Sequence, residues 1–115
     1  MNLAEETLEI LEKNGLKKSD VLYAQGNDYW ITAENFWDVA KDTEYDNGWG
    51  APEVACDLKV VGKDWWLERD DYDGTEWWEF KKYPEKPQER AEVKRLARSD
   101  GWAWSLKEAN EEDDE

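Results

Sequence analysis

The chain has 115 residues, enough for one domain with a single core, and carries 30 acidic against 15 basic side chains for a formal net charge of −15. That charge repels phosphate backbones and argues against nucleic-acid binding. The lack of histidine and the single cysteine, Cys56, exclude Ser-His and Cys-His nucleophilic machinery, a structural zinc site and an intramolecular disulfide, which fits a reducing cytoplasm.

In chain order, "LAEETLEILEKNGL" places Leu3, Leu8, Ile10 and Leu11 at helical spacing and stops at Asn14-Gly15, predicting a short amphipathic helix. This first segment has neither a basic leader region nor an unbroken apolar run, and no stretch approaches membrane-spanning length, so a cytosolic chain that does not enter the membrane is expected. "VLYAQGNDYWIT" reads as two β-rich runs around a Gln-Gly-Asn-Asp turn. Thr32 is placed to cap "AENFWDVAK", whose Ala33, Phe36, Trp37 and Ala40 form one stripe of a second helix. After a loop rich in Gly, Asn and Pro, "VACDLKVVG" reads as a strand.

The strongest local signal follows in "DWWLERDDYDGTEWWEF", residues 64–80, a hairpin with strands over 65–70 and 75–82 and a three-residue loop Tyr72-Asp73-Gly74. "PQERAEVKRLARSDG" predicts a third helix with Val93, Leu96 and Ala97 inward and Arg90, Lys94 and Arg98 outward, the basic stripe serving as an intramolecular partner for the acidic chain. "WAWSL" alternates like a short strand, and the acidic end reads as a disordered tail. Together these predict an α+β domain over residues 1–107, a small antiparallel sheet of about four to five strands packed with two to three short helices, followed by a tail over 108–115.

Aliphatic residues are scarce, with nine Leu, two Ile and six Val against nine Trp, five Tyr and two Phe. The core must therefore be largely aromatic. Neighbours on a strand point to opposite faces, so each Trp-Trp pair divides between the two sides of the sheet. With a three-residue loop, Arg69 lies opposite Trp77 as a cation–π pair and Glu68 opposite Trp78, so that Trp66, Trp78 and Phe80 share one face and Trp65, Leu67 and Trp77 the other. Helices on both faces would bury all four rings, whereas an open second face would display an aromatic platform; the shortage of aliphatics favours the buried arrangement.

Glycine-rich phosphate loops do not occur. Carboxylate pairs for glycoside hydrolysis carry no signal in a chain with 30 acids. "DTEYDNGWGAPE" has the length of a calcium loop, with Asp42, Glu44, Asp46 and Glu53 as ligand candidates, but its glycine falls one step late and Pro52 sits where the exiting helix should form, so an ordinary acidic turn is the plainer reading and no cofactor is expected. The doubled tryptophans do not have the spacing of a WW module. Trp faces flanked by carboxylates suit carbohydrate rings, and carboxylates spaced over a rigid surface imitate the phosphate array of DNA; solubility alone also accounts for the charge.

"YDNGWG…EVACDLKVVGKDWWLERDDYDGTEWWEF" resembles short proteins encoded by phages and prophages of Gram-positive bacteria, over roughly residues 29–83. The resemblance transfers no activity. It implies an accessory protein, acting in the cytoplasm of the host cell, that binds and modulates a host protein. The expectation is thus a non-enzymatic protein whose partner is a host protein with a basic surface, contacted through Arg69, Asp70, Asp71, Tyr72, Asp73, Glu76 and one of Trp77 or Trp78. The rival is a carbohydrate- or ligand-binding module with an exposed Trp face, and a third possibility is a structural or assembly component.

Overall fold

A computed structural model describes residues 1–48, 50–102 and 104–111. The chain divides into two compact units, Met1–Pro84 and Glu85–Glu115. The first is an α+β domain built from α1 (Leu3–Lys13), β1 (Tyr23–Gln25), β2 (Trp30–Thr32), α2 (Ala33–Ala40), β3 (Lys59–Val61), β4 (Trp65–Tyr72) and β5 (Thr75–Lys82). All strand pairs are antiparallel, in the order β2-β1-β3-β4-β5. No described helix is long and apolar enough to cross a membrane.

Both helices form where the sequence predicts them, and the structure adds a cap at Asn2 to the one expected at Thr32. The Asn2 side chain caps α1 by accepting from Glu5 N at 3.0 Å, and Thr32 Oγ1 caps α2 by accepting from Asn35 N at 3.0 Å. Leu3, Thr7 and Leu11 of α1 and Phe36, Trp37 and Ala40 of α2 are buried. They share one core with Ala24, Val60, Trp65, Leu67 and Trp78 from a single face of the sheet. Thr7, polar yet fully buried, donates to Leu3 O and accepts from Trp78 Nε1 at 3.0 Å, joining helix to sheet. Gly62 lets the Trp65 ring lie against the backbone; a Cβ there would run into the indole.

The β4–β5 turn departs from expectation. Tyr72 pairs with Thr75, so the loop has two residues, Asp73 and Gly74, with φ of 50° and 85°. Two consecutive positive φ values match the twist of the flanking strands and make Asp-Gly the preferred dipeptide. Removing one residue from the loop moves the register by one: Arg69 faces Trp78 rather than Trp77, and Glu68 faces Glu79.

The third helix expected over 87–101 does not form. Val93 and Leu96 are exposed, and a solitary apolar stripe with no core to cover does not repay the cost of helix nucleation. Asn110 instead organises the second unit: its Oδ1 accepts from Lys94 N and Arg95 N while its Nδ2 donates to Arg95 O. Without the helix there is no basic stripe; Arg90 pairs with Glu92 and Arg98 with Asp100. Trp102 and Trp104 are exposed and belong to no strand, and Leu106–Ala109 forms a short helix, α3, with Ser105 as its cap. That helix crosses the boundary expected after Lys107, and the rest of the expected tail, residues 112–115, lies outside the described residues.

Candidate functional site

The hairpin separates its aromatic and charged residues by parity. On the helix-covered face, Trp65, Leu67 and Arg69 of β4 lie among Glu76, Trp78 and Phe80 of β5. Arg69 is buried there, its side chain 4% exposed, inside a closed network. Its Nη1 donates to Glu6 Oε2 at 3.1 Å and its Nη2 to Glu76 Oε1 at 2.7 Å and to the Tyr45 hydroxyl at 3.4 Å. The Tyr45 hydroxyl donates in turn to Glu6 Oε1 at 2.6 Å. The guanidinium lies over the Trp78 ring at 4.7 Å and the Tyr45 ring at 5.6 Å. Glu76 also accepts from Glu53 N and Val54 N, and its own N–H donates to Asn47 Oδ1, so the loop before β3 is pinned to the same carboxylate. Arg69 Nε has no partner among the described residues.

The environment shifts two of these groups. Burial pushes the Tyr45 hydroxyl up from 10.0 to about 12, with the bond to Glu6 adding to the rise and the bond to Arg69 opposing it. Burial pulls the Arg69 guanidinium down, but its bonds to Tyr45 and Glu76 and the attraction of Glu6 outweigh that and leave it raised. Because the folded chain holds Tyr45 neutral beyond the pH at which the unfolded chain ionises, its contribution to stability is whole below pH 10.0 and is lost as pH rises towards about 12. The urea midpoint of the wild type should therefore fall across that window more steeply than that of Tyr45→Phe. Parallel profiles would show that the hydroxyl does not titrate with unfolding.

The other face carries the second member of each Trp pair. Neither α1 nor α2 packs on it. Trp66 and Trp77 are half-buried there, and each indole N–H donates to the carboxylate two residues on: Trp66 Nε1 to Glu68 Oε1 at 2.6 Å, and Trp77 Nε1 to Glu79 Oε1 at 2.7 Å. Residues two apart on a strand share a face, which is why the pairing is local. The register sets Tyr23 beside Val61 and Val61 beside Trp66, while Trp30 packs edge-on to Tyr23 and Tyr83 tilts against Trp66 at 5.3 Å. Trp30 and Tyr83 are 65% and 68% exposed. A depression of about 560 Å3 runs between Leu22, Tyr23, Lys59, Val61, Trp66 and Tyr83.

Of the residues expected to make the contact surface, Asp70, Asp71, Tyr72 and Asp73 are exposed at the hairpin tip and Trp77 lies on the open face. Arg69, Glu76 and Trp78 are internal. The four calcium candidates do not converge. Glu44 accepts from Asn2 Nδ2, Glu53 accepts from Asp46 N, and among the described residues no three acidic, Cys or His side chains gather in a metal-binding group. Tyr23, Trp30 and Tyr83 are members of the open face that strand-by-strand reading passes over. The alternation in "YAQGNDYW" hints at them, but only the strand order sets them beside Trp66.

The chain matches no protein-family model, no curated protein and no solved structure.

Proposed function

We propose that this is a non-enzymatic binding module that takes a basic protein segment on the open face of its sheet. The observation that carries the reading is the row of Trp30, Tyr23, Trp66 and Tyr83, with Trp77 beyond, on a face that neither α1 nor α2 covers and that is bordered by carboxylates. With the Trp66 and Trp77 N–H groups already bonded to Glu68 and Glu79, what the rings offer a partner is their π-faces. Lys and Arg side chains fit such a surface, laying aliphatic stems on the rings and bringing their charges to the carboxylates. The tip acids Asp70, Asp71 and Asp73 and the net charge of −15 steer a cationic partner to it. In the phage setting that the resemblance implies, the partner is a host protein and the effect is to occupy its basic surface.

The test is affinity capture from a bacterial lysate, followed by titration of the purified captured protein at low and high salt. A basic partner whose affinity falls steeply with salt, and by roughly 30-fold in Trp66→Ala, is expected. A partner indifferent to both changes would overturn the reading. The depression beside Trp66 and Tyr83, with Gln25, Lys59 and Glu68 at its margin, favours a second reading as an oligosaccharide site. Salt-independent quenching of Trp fluorescence by neutral oligosaccharides would select it.

A further inference from the structure

Strand β5 ends the sheet, and among the described residues no strand pairs with its outer edge. Gly62 N donates to Trp65 O, which turns the odd-numbered backbone groups of β4 towards β3 and the even-numbered ones towards β5. It follows that Thr75, Trp77, Glu79 and Lys81 bond β4, while Glu76, Trp78, Phe80 and Lys82 point their N–H and C=O groups outward. Glu76 N is taken by Asn47. The outward N–H groups of Trp78, Phe80 and Lys82 have no hydrogen-bond partner among the described residues. No proline or bulge interrupts this edge, and its pairing with β4 is continuous over eight residues.

Lysines at an edge ordinarily discourage pairing with other strands. Here Glu79 offsets one of the two lysines, and Glu76 is held inside by Arg69, so the exposed charge of β5 is small within a chain of net charge −15. The arrangement is self-complementary. When two copies of β5 run antiparallel with Phe80 of one opposite Phe80 of the other, Glu79 of each copy lies opposite Lys81 of its partner copy, and Trp78 opposite Lys82. The neighbouring alternative, centred on Glu79, sets Glu79 against its own copy and offers Lys82 only Glu76, whose carboxylate Arg69 holds inside, and is disfavoured. In the favoured register the outward groups of 78, 80 and 82 exchange two hydrogen bonds at each facing pair. Glu6, Glu9, Ile10 and Lys13 of α1 line a groove of about 180 Å3 with Trp77 and Trp78 of this strand.

We propose that β5 pairs edge to edge with β5 of a second copy, about a two-fold axis at Phe80, to give a continuous ten-stranded sheet. The charges that admit a second copy exclude strands lacking the matching pattern. Because the two chains repel one another at long range, salt strengthens this association, the opposite of its effect on a basic partner.

Sedimentation velocity over a concentration series at low and high salt tests the pairing, with circular dichroism checking that each variant folds. The wild type is expected to be a reversible dimer that tightens with salt. Lys82→Pro removes an outward N–H that β4 does not use, and should give a monomer with an unchanged spectrum. Lys81→Glu should weaken association about tenfold, because both charge pairs become repulsive, and Glu79→Lys with Lys81→Glu should restore it. A wild type that stays monomeric at every concentration and salt overturns the proposal. So does association that a folded Lys82→Pro leaves intact, or one that Lys81→Glu leaves unchanged, each of which assigns the contact to another surface.

Discussion

Replacing Arg69 by Met is expected to destabilise the protein by about 3–5 kcal/mol, because it strands the carboxylates of Glu6 and Glu76 in the interior without a counter-charge. Their side chains are only 12% and 4% exposed, so water cannot take over the role of the guanidinium. The loss is a large share of the ~5–15 kcal/mol that holds a typical domain together, and should lower Tm by more than about 10 °C. Adding Glu76→Gln to Arg69→Met should recover part of it: the amide still offers an oxygen to Glu53 N or Val54 N but carries no charge. Thermal denaturation of the wild type and the two variants decides the matter. An Arg69→Met protein as stable as wild type would mean that the network is incidental to the fold.

Alanine at each of the four hairpin tryptophans should separate them into two classes. Trp65 and Trp78 are 4% and 5% exposed, and their truncation should cost about 3–5 kcal/mol through lost burial and a residual cavity. Trp78→Ala also deprives Thr7 of its donor and Arg69 of the ring beneath it. Trp66→Ala and Trp77→Ala lie on the open face and should cost roughly 1 kcal/mol, within the range of ordinary substitutions away from the core. Their effect should appear instead in binding. Urea denaturation of all four variants, set beside their affinity for the captured partner, gives the comparison; equal stability losses across the four would show that both faces are covered.

Much of the first unit was legible along the chain. The cap at Thr32, the stripe of α2 and the existence of the hairpin are local signals, each written within a few residues and obeyed by the fold, although the turn is one residue shorter than the signal implied. The same logic failed over 87–101, where a helical period exists but nothing packs against Val93 and Leu96; periodicity states which face a helix would bury, not whether a core is there to receive it.

The candidate sites show the same division. Alternation along a strand required each Trp-Trp pair to split between the faces, whatever the register. The expected three-residue loop grouped Trp66 with Trp78 and Trp65 with Trp77, and the structure instead groups Trp65 with Trp78 and Trp66 with Trp77. That choice fell to the hairpin loop, where one residue fewer than expected moved Arg69 from Trp77 to Trp78. Tyr45 and Glu6 joined the buried network from 24 and 63 residues away in sequence, a distance over which no local pattern carries information. Composition and strand period settled an acidic α+β chain with two-sided tryptophans, whereas its core mixes Leu3, Leu11, Val60 and Leu67 with Phe36, Trp37, Tyr45, Trp65 and Trp78 and is less aromatic than composition implied. Which residues are hidden and which are offered to a partner was decided by helix placement and strand order, because burial depends on contacts between segments remote along the chain.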